Sequence, residues 1–303
     1  MPAGLLGIEE LDRTQIEAIL SRAKDFQPLQ SQSLKKLDTL RGKMIVNLFY
    51  EASTRTRTSF EIAAKRMGAD AVSITASSSS VSKGESLVDT LNTLAAMRPD
   101  AIVMRHAASG APHFLSRYLP TPIINAGDGT HEHPTQALLD ARTILDQRPT
   151  LEQLRVAIIG DIAHSRVARS NIHLLSKFKS QIVLCGPASL LPAELSEIAP
   201  GVSLTYDIRE AIRGADVIMM LRVQLERQHE PAFPASEYFQ FYGLRLEHME
   251  LAKPDVIVMH PGPINRGREI SSEVADSQRS AILNQVENGI AVRMAVLEKI
   301  LCN

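Results

Sequence analysis

The stretch Ser53-Thr-Arg-Thr-Arg-Thr58 alternates hydroxyls with two guanidinium groups, a combination suited to holding an anion. It follows an apolar run at 44–49 that reads as a buried strand. It precedes Phe60, Ala63, Ala64 and Met67, whose i, i+3, i+4, i+7 spacing describes a helix closed by Gly68. The polar segment therefore sits at a strand-to-helix corner, where free backbone N–H groups and the positive end of the helix dipole favour negative charge. One hydroxyl would suffice for an ordinary N-cap. Arg55 and Arg57 place positive charge beside the positive dipole end, which is unfavourable unless an anion binds, and a phosphate is the obvious guest.

A second polar group is His131-Glu-His-Pro-Thr-Gln136, which opens a helix after the turn Gly127-Asp-Gly-Thr130. The i, i+1, i+2 spacing of His131, Glu132 and His133 spreads them around a helix, unlike the i, i+4 pair of zinc helices, so no metal is expected there. His133 and Gln136 share a helix face and could together bind a neutral polar group; a capped, solvated helix start is the plainer alternative. Arg105 lies just past an apolar run at 101–104.

Further along, residues 156–170 read as strand, Gly160-Asp161, then helix, with one glycine where a dinucleotide turn needs three. Arg166 falls near that helix's N-terminus, and Arg222-Val-Gln224 follows the strand ending at Leu221. Two guanidiniums and an amide at strand carboxyl ends can clamp a dicarboxylate, although singly each Arg is more often an ion-pair partner. His260-Pro-Gly-Pro263 brings a rigid turn to the same edge. No nucleophile–base pair, acidic dyad or metal cluster stands out. The pattern suits a site that positions two anionic substrates and stabilises developing charge.

These residues need elements to carry them. Apolar runs at 44–49, 71–74, 101–104, 122–124, 155–159, 181–185, 202–205, 217–221 and 256–259 alternate with helical patterns. Several are continuous and rich in Val and Ile, as in strands covered on both faces of a parallel sheet. The fold expected is α/β, with two doubly wound parallel-sheet domains at 1–148 and 149–281. A helix over about 132–148 links them, Asp12 caps an opening helix, and a long amphipathic helix over about 282–303 ends the chain. Residues 77–85 read as an exposed loop or a lid, and 222–243 as a long ordered loop or lid.

At 303 residues two domains are expected, and 44% hydrophobic with 22% charged content is ordinary globular composition. The net charge of −1, from 33 basic and 34 acidic residues, gives no sign of nucleic acid or a membrane surface as partner. Cys185 and Cys302 offer no disulfide or metal pattern, and no targeting or membrane-spanning segment is evident, so a cytoplasmic location is expected.

Phe49-Tyr-Glu-Ala-Ser-Thr-Arg-Thr-Arg57, His133-Pro-Thr-Gln136 and Arg222-Val-Gln224 resemble the signatures of the carbamoyltransferases, and length and motif order match along the whole chain. Lys83 in a Ser-Lys-Gly-Glu loop, Arg-Val-Gln-x-Glu-Arg at 222–227 and His-Pro-Gly-Pro at 260–263 resemble the aspartate branch rather than the ornithine branch. The resemblance implies transfer of a carbamoyl group from carbamoyl phosphate to aspartate, without cofactor or metal. It implies that Ser53, Thr54, Arg55, Thr56 and Arg105 bind the phosphate. Thr56, Arg105 and His133 would polarise the carbonyl, and Gln136 with the Pro261-Gly262-Pro263 turn would hold the carbamoyl amide. Arg166, Arg222 and Gln224 would grip the aspartate carboxylates, and Glu51 would align Arg166 and Arg227. It further implies a homotrimer in which Ser79 and Lys83 serve a neighbouring subunit's site, a last helix returned to the first domain, and room for a regulatory chain or a dihydroorotase-like partner. His164, Gly262 and Ser82 depart from one well-known branch. Ornithine as acceptor, a non-catalytic scaffold and a nicotinamide oxidoreductase are the competing readings.

Overall fold

The computed structural model describes residues 4–33, 35–75, 87–223 and 235–302. It divides into two compact units, Met1–Leu139 with Glu287–Asn303, and Asp140–Val286. Both divisions fall inside helices. The expectations at Ser79, Lys83, Gln224 and Arg227 lie outside the described residues.

The first unit holds strands β1 (Gly4–Leu5), β2 (Met44–Phe49), β3 (Asp70–Thr75), β4 (Ala101–His106) and β5 (Ile123–Asp128). All pairs are parallel, in the order β1-β5-β4-β2-β3. Its helices are α1 (Arg13–Phe26), α2 (Thr54–Arg66), α3 (Leu87–Ala96), α4 (Ala111–Ser116) and the first half of α5 (Pro134–Leu145). β4 and β5 are buried almost end to end, as strands roofed by helices on both faces must be. Asp12 caps α1 in a reciprocal box, accepting from the Gln15 N–H at 2.7 Å while Gln15 Oε1 accepts from the Asp12 N–H at 3.0 Å. The two-residue β1 is too short to show in the sequence pattern.

The second unit repeats the plan with β6 (Arg155–Ile159), β7 (Gln181–Cys185), β8 (Val202–Thr205), β9 (Val217–Met220) and β10 (Ile257–Met259). These are again all parallel, in the order β10-β9-β6-β7-β8. Helices α6 (Arg166–Ser176), α7 (Ile208–Ile212), α8 (Ala235–Tyr242), α9 (Leu246–Met249) and α10 (Ser272–Ala275) accompany them. The chain closes on α11 (Ile282–Leu301), whose part from Glu287 belongs to the first unit. There Arg22 donates to Glu298 at 2.6 Å and Arg293 lies 5.0 Å over the Phe60 ring.

Two local expectations are corrected. The linking helix runs Pro134–Leu145 and not 132–148, because Glu132 is held in a bridge to Asp128 and Pro134 is the favoured first helical residue. The loop expected over 222–243 gives way to α8 at 235–242. There Tyr238 and Tyr242 stand one turn apart, their ring centroids at 5.6 Å, and Tyr238 is buried. No described helix is long and apolar enough to cross a membrane.

Candidate active site

In a doubly wound sheet the strand order reverses at one point, and the carboxyl ends flanking it are where ligands bind. In the first unit the reversal falls between β2 and β4, with β5 next to β4. Each of these strands delivers one polar group from its carboxyl end. β2 leads through Tyr50–Ala52 into Ser53 and the first turn of α2. β4 ends on Arg105 and His106, and β5 leads to His133 and α5.

Ser53 is the N-cap of α2 by backbone geometry, yet its side chain makes no cap hydrogen bond. No acidic residue stands in that first turn, so its dipole end meets only hydroxyls and the guanidiniums of Arg55 and Arg57. Thr56 is buried. Such a helix start suits an anion, since its hydroxyls and dipole end carry no acidic partner in the first turn.

Arg105 is only 9% exposed. It pairs with Phe49 in the sheet register, and its carbonyl accepts from the Tyr50 N–H at 2.9 Å, which locks it beside the Ser53 corner. Its guanidinium donates to the Ala126 carbonyl at 3.2 Å and to Glu51 Oε1 at 2.5 Å. Glu51, expected beside Arg166 and Arg227, is thus Arg105's partner here. His133 and Gln136 are both buried, and the Gln136 N–H donates to the His133 carbonyl at 2.9 Å. His133 lies just before the helix, with Gln136 in its first turn, so they are neighbours although not on one continuous helical face.

Glu132 takes a different part. Its buried carboxylate accepts from the Ile8 N–H at 2.9 Å and the Glu9 N–H at 3.1 Å, pinning the N-terminal segment beneath the His133 turn. Gly7 has no side chain because a Cβ there would fall 2.4 Å from Glu132 Oε1. His131 donates to Asp128 Oδ2 at 3.0 Å, and that bond, against the cost of burial, raises the imidazole above its ordinary value. Burial pushes the Asp128 carboxyl up. Bonds from His131, Asn125, Gly110 and Glu132 outweigh it and hold the group below the usual carboxylate value.

In the second unit the reversal falls between β6 and β9, with β10 beside β9. Arg166 is the first residue of α6 and only 4% exposed; Ser165 caps that helix, accepting from the Ala168 N–H at 3.1 Å. Arg222 stands two residues past β9, half-buried. Gly160, the one glycine where a dinucleotide turn would need three, has a packing cause. It adopts φ +142°, and a Cβ there would lie 2.8 Å from Leu221 Cβ. It lets the strand ends leading to Arg166 and Arg222 approach each other, which is a packing role.

Beyond β10, Pro261, Gly262 and Pro263 form a turn tied down by His260. The Gly262 N–H donates to His260 Nδ1 at 2.8 Å, so the proton sits on Nε2, which donates to the buried Glu269 at 3.2 Å. The His260 N–H donates to Gln285 Oε1 at 2.9 Å, Gln285 donates to Asp140 at 2.7 Å, and Asn171 donates to Asp140 at 2.8 Å and to the Val167 carbonyl at 3.0 Å. This buried chain joins the turn to the α6 segment next to Arg166. Its one sign in the sequence is a carboxylate, Asp140, inside the apolar run Ala137-Leu-Leu-Asp-Ala141, too slight to reveal the chain. Cys185 is buried in the core of the second unit, and burial pushes its thiol up to about 12.

Family models extend over nearly all of the chain. Residues 4–146 match the aspartate/ornithine carbamoyltransferase carbamoyl-P binding domain, and residues 152–300 match the Asp/Orn binding domain of the same family. The aspartate carbamoyltransferase catalytic subunit of Solibacter usitatus is 85% identical over 301 residues, covering 99% of this chain and 100% of that one. Among solved structures, Trypanosoma cruzi aspartate transcarbamoylase in complex with carbamoyl phosphate and aspartate superposes with a TM-score of 0.89 at 32% identity, over 98% of this chain and 95% of that one. Ornithine carbamoyltransferase from Pyrococcus furiosus superposes with a TM-score of 0.87 at 30% identity, over 97% and 95%. The corner at Ser53, the strand ends at Arg105 and Arg222 and the match along both units lead to one conclusion: this chain is a member of the aspartate/ornithine carbamoyltransferase family.

Proposed function

We infer that the chain transfers the carbamoyl group of carbamoyl phosphate to the α-amino group of L-aspartate, giving N-carbamoyl-L-aspartate and phosphate, a step of de novo pyrimidine biosynthesis. The reading is carried by the first unit's sheet, in which three adjacent strands end at Ser53–Thr56, at Arg105 and at His133. Aspartate is favoured over ornithine because Arg166 and Arg222 follow adjacent strands of the second unit and suit two carboxylates, whereas a cationic acceptor needs an acidic group. The 85% identical aspartate carbamoyltransferase supports the same choice.

Ser53, Thr54, Arg55 and Thr56, with the free N–H groups of α2, take the phosphate. Arg105 exchanges its bond to Glu51 for the phosphate and the carbonyl oxygen. Thr56, Arg105 and His133 point their donors at that oxygen, while Gln136 and the Pro261-Gly262-Pro263 turn hold the carbamoyl amide. The neutral amine of aspartate attacks the carbamoyl carbon, and the carbonyl oxygen gains the charge of a tetrahedral intermediate. The C–O bond to phosphate then breaks, and the departing phosphate takes the proton that the amine gives up. Side chains act here by positioning and by stabilising charge. The fold class supports the assignment of residues 1–148 and about 282–303 to carbamoyl phosphate and 149–281 to aspartate, and the active form is a homotrimer working in the cytoplasm.

Arg105→Ala tests the mechanism. Loss of one such donor costs about 100- to 1000-fold in turnover, so steady-state kinetics should show kcat reduced by that order. An unchanged kcat with only a raised KM would remove Arg105 from the reacting oxygen.

A further inference from the structure

Apart from the residues assigned to substrate, the first unit gathers two imidazoles and a carboxylate from three separate elements. His113 comes from α4, Asp128 ends β5 and His131 follows in the turn before α5; one ligand atom from each lies within 4.8 Å of the others. The His113 and His131 rings meet edge to face, with centroids 5.3 Å apart.

An ion pair between Asp128 and His131 would account for two of the three. It leaves His113 unexplained. His113 Nε2 lies 2.9 Å from Glu10 Oε1, while its Nδ1 is buried without a hydrogen-bond partner among the described residues. A buried ring nitrogen without a partner is costly, and an ion beside it removes the cost. The carboxylate is already aimed. Asp128 is inaccessible to solvent, its Oδ1 accepts from Asn125 Nδ2 at 2.8 Å and the Glu132 N–H at 3.1 Å, and its Oδ2 accepts from the Gly110 N–H at 2.6 Å while facing His131 at 3.0 Å. Such outer hydrogen bonds fix the orientation of a metal-binding carboxylate. Glu9 and Glu132 add negative potential at His131. The side chains of His113 and His131 keep 27% and 35% of their exposure, so an ion from solution can reach them.

We propose that His113, Asp128 and His131 bind a divalent transition-metal ion of the zinc type, with Glu10 orienting the His113 ring through its bond to Nε2. Imidazole with carboxylate suits Zn²⁺, and ligand atoms at about 2.0–2.2 Å from a tetrahedral ion are about 3.3 Å apart. The Asp128–His131 separation already meets that spacing, and the half-exposed His113 closes the rest by rotating its side chain. The ion would join α4, β5 and the turn that leads to His133, and it takes no part in carbamoyl transfer.

Calorimetric titration of the intact chain with Zn²⁺, in a Cys302→Ser background to remove the exposed thiol, tests this. One ion per chain is expected. His113→Ala and His131→Ala should each weaken binding by at least about 10-fold, the smaller effect of losing even a residue that only orients a ligand. The exposed Glu10→Gln, which leaves the fold undisturbed, should weaken it in the same direction. Circular dichroism checks that each variant is folded. No uptake by the parent chain, or the same uptake in a folded His113→Ala/His131→Ala double variant, would overturn the proposal.

Discussion

Ser53 occupies an N-cap position without using its hydroxyl as a cap, and the proposed anion site rests on that detail at the residue scale. That proposal was already legible in the sequence, because two guanidiniums beside a helix dipole favour a counter-charge. The partner of Arg105 was not: Glu51 lies 54 positions away, and only the parallel register of β2 with β4 brings it near. His248 shows what burial does to a residue that carries no signal at all. Burial, then the nearby Arg245, lowers its pKa below the ordinary 6.5, and the imidazole is almost inaccessible. The sign follows from linkage. The unfolded chain takes up a proton below about pH 6.5 while the folded one resists, so stability is complete above that pH and falls as pH drops through it. Thermal unfolding between pH 8 and pH 5.5 should therefore decline more steeply in the parent than in His248→Gln. Equal slopes would mean that His248 titrates alike in both states.

At the scale of elements, continuous Val- and Ile-rich runs announced both sheets, and nine of the strands fall on runs visible in the sequence. The residues around them were less legible. His131–His133 looked like a helix start because nothing local reveals that Glu132 is claimed by the N–H groups of Ile8 and Glu9 across 124 and 123 positions. Residues 235–242 looked irregular because proline and polar neighbours masked the Tyr238–Tyr242 spacing. Gly160, already short of the glycines a nucleotide turn needs, is explained by its close approach to Leu221. In the proposed function the elements also divide the labour, carbamoyl phosphate to the ends of β2, β4 and β5 and aspartate to those of β6 and β9. Losing a charged hydrogen bond costs about 1.5–3 kcal/mol. Arg222→Ala should therefore raise the KM for aspartate by about 10- to 150-fold and leave carbamoyl phosphate affinity unchanged. Equal loss for both substrates would contradict the division.

For the whole molecule, two parallel sheets with reversed strand order were expected from the alternation of runs and helices, and the two units have that topology. A subunit's neighbours leave no mark in the apolar periodicity, so the trimer rests on the family resemblance alone. It makes a prediction at this scale. If Ser79 and Lys83 serve a neighbouring site, inactive Ser53→Ala and inactive Lys83→Ala chains should regain activity when mixed, because some sites in a mixed trimer have both halves intact. Persistent inactivity after demonstrated chain exchange would confine each site to one chain. The central claim, carbamoyl transfer to aspartate, is tested most directly by phosphate release from carbamoyl phosphate by the purified chain, with aspartate and ornithine supplied in parallel. Release with aspartate and none with ornithine is predicted; release with ornithine alone would contradict the assignment of Arg166 and Arg222 to a dicarboxylate acceptor.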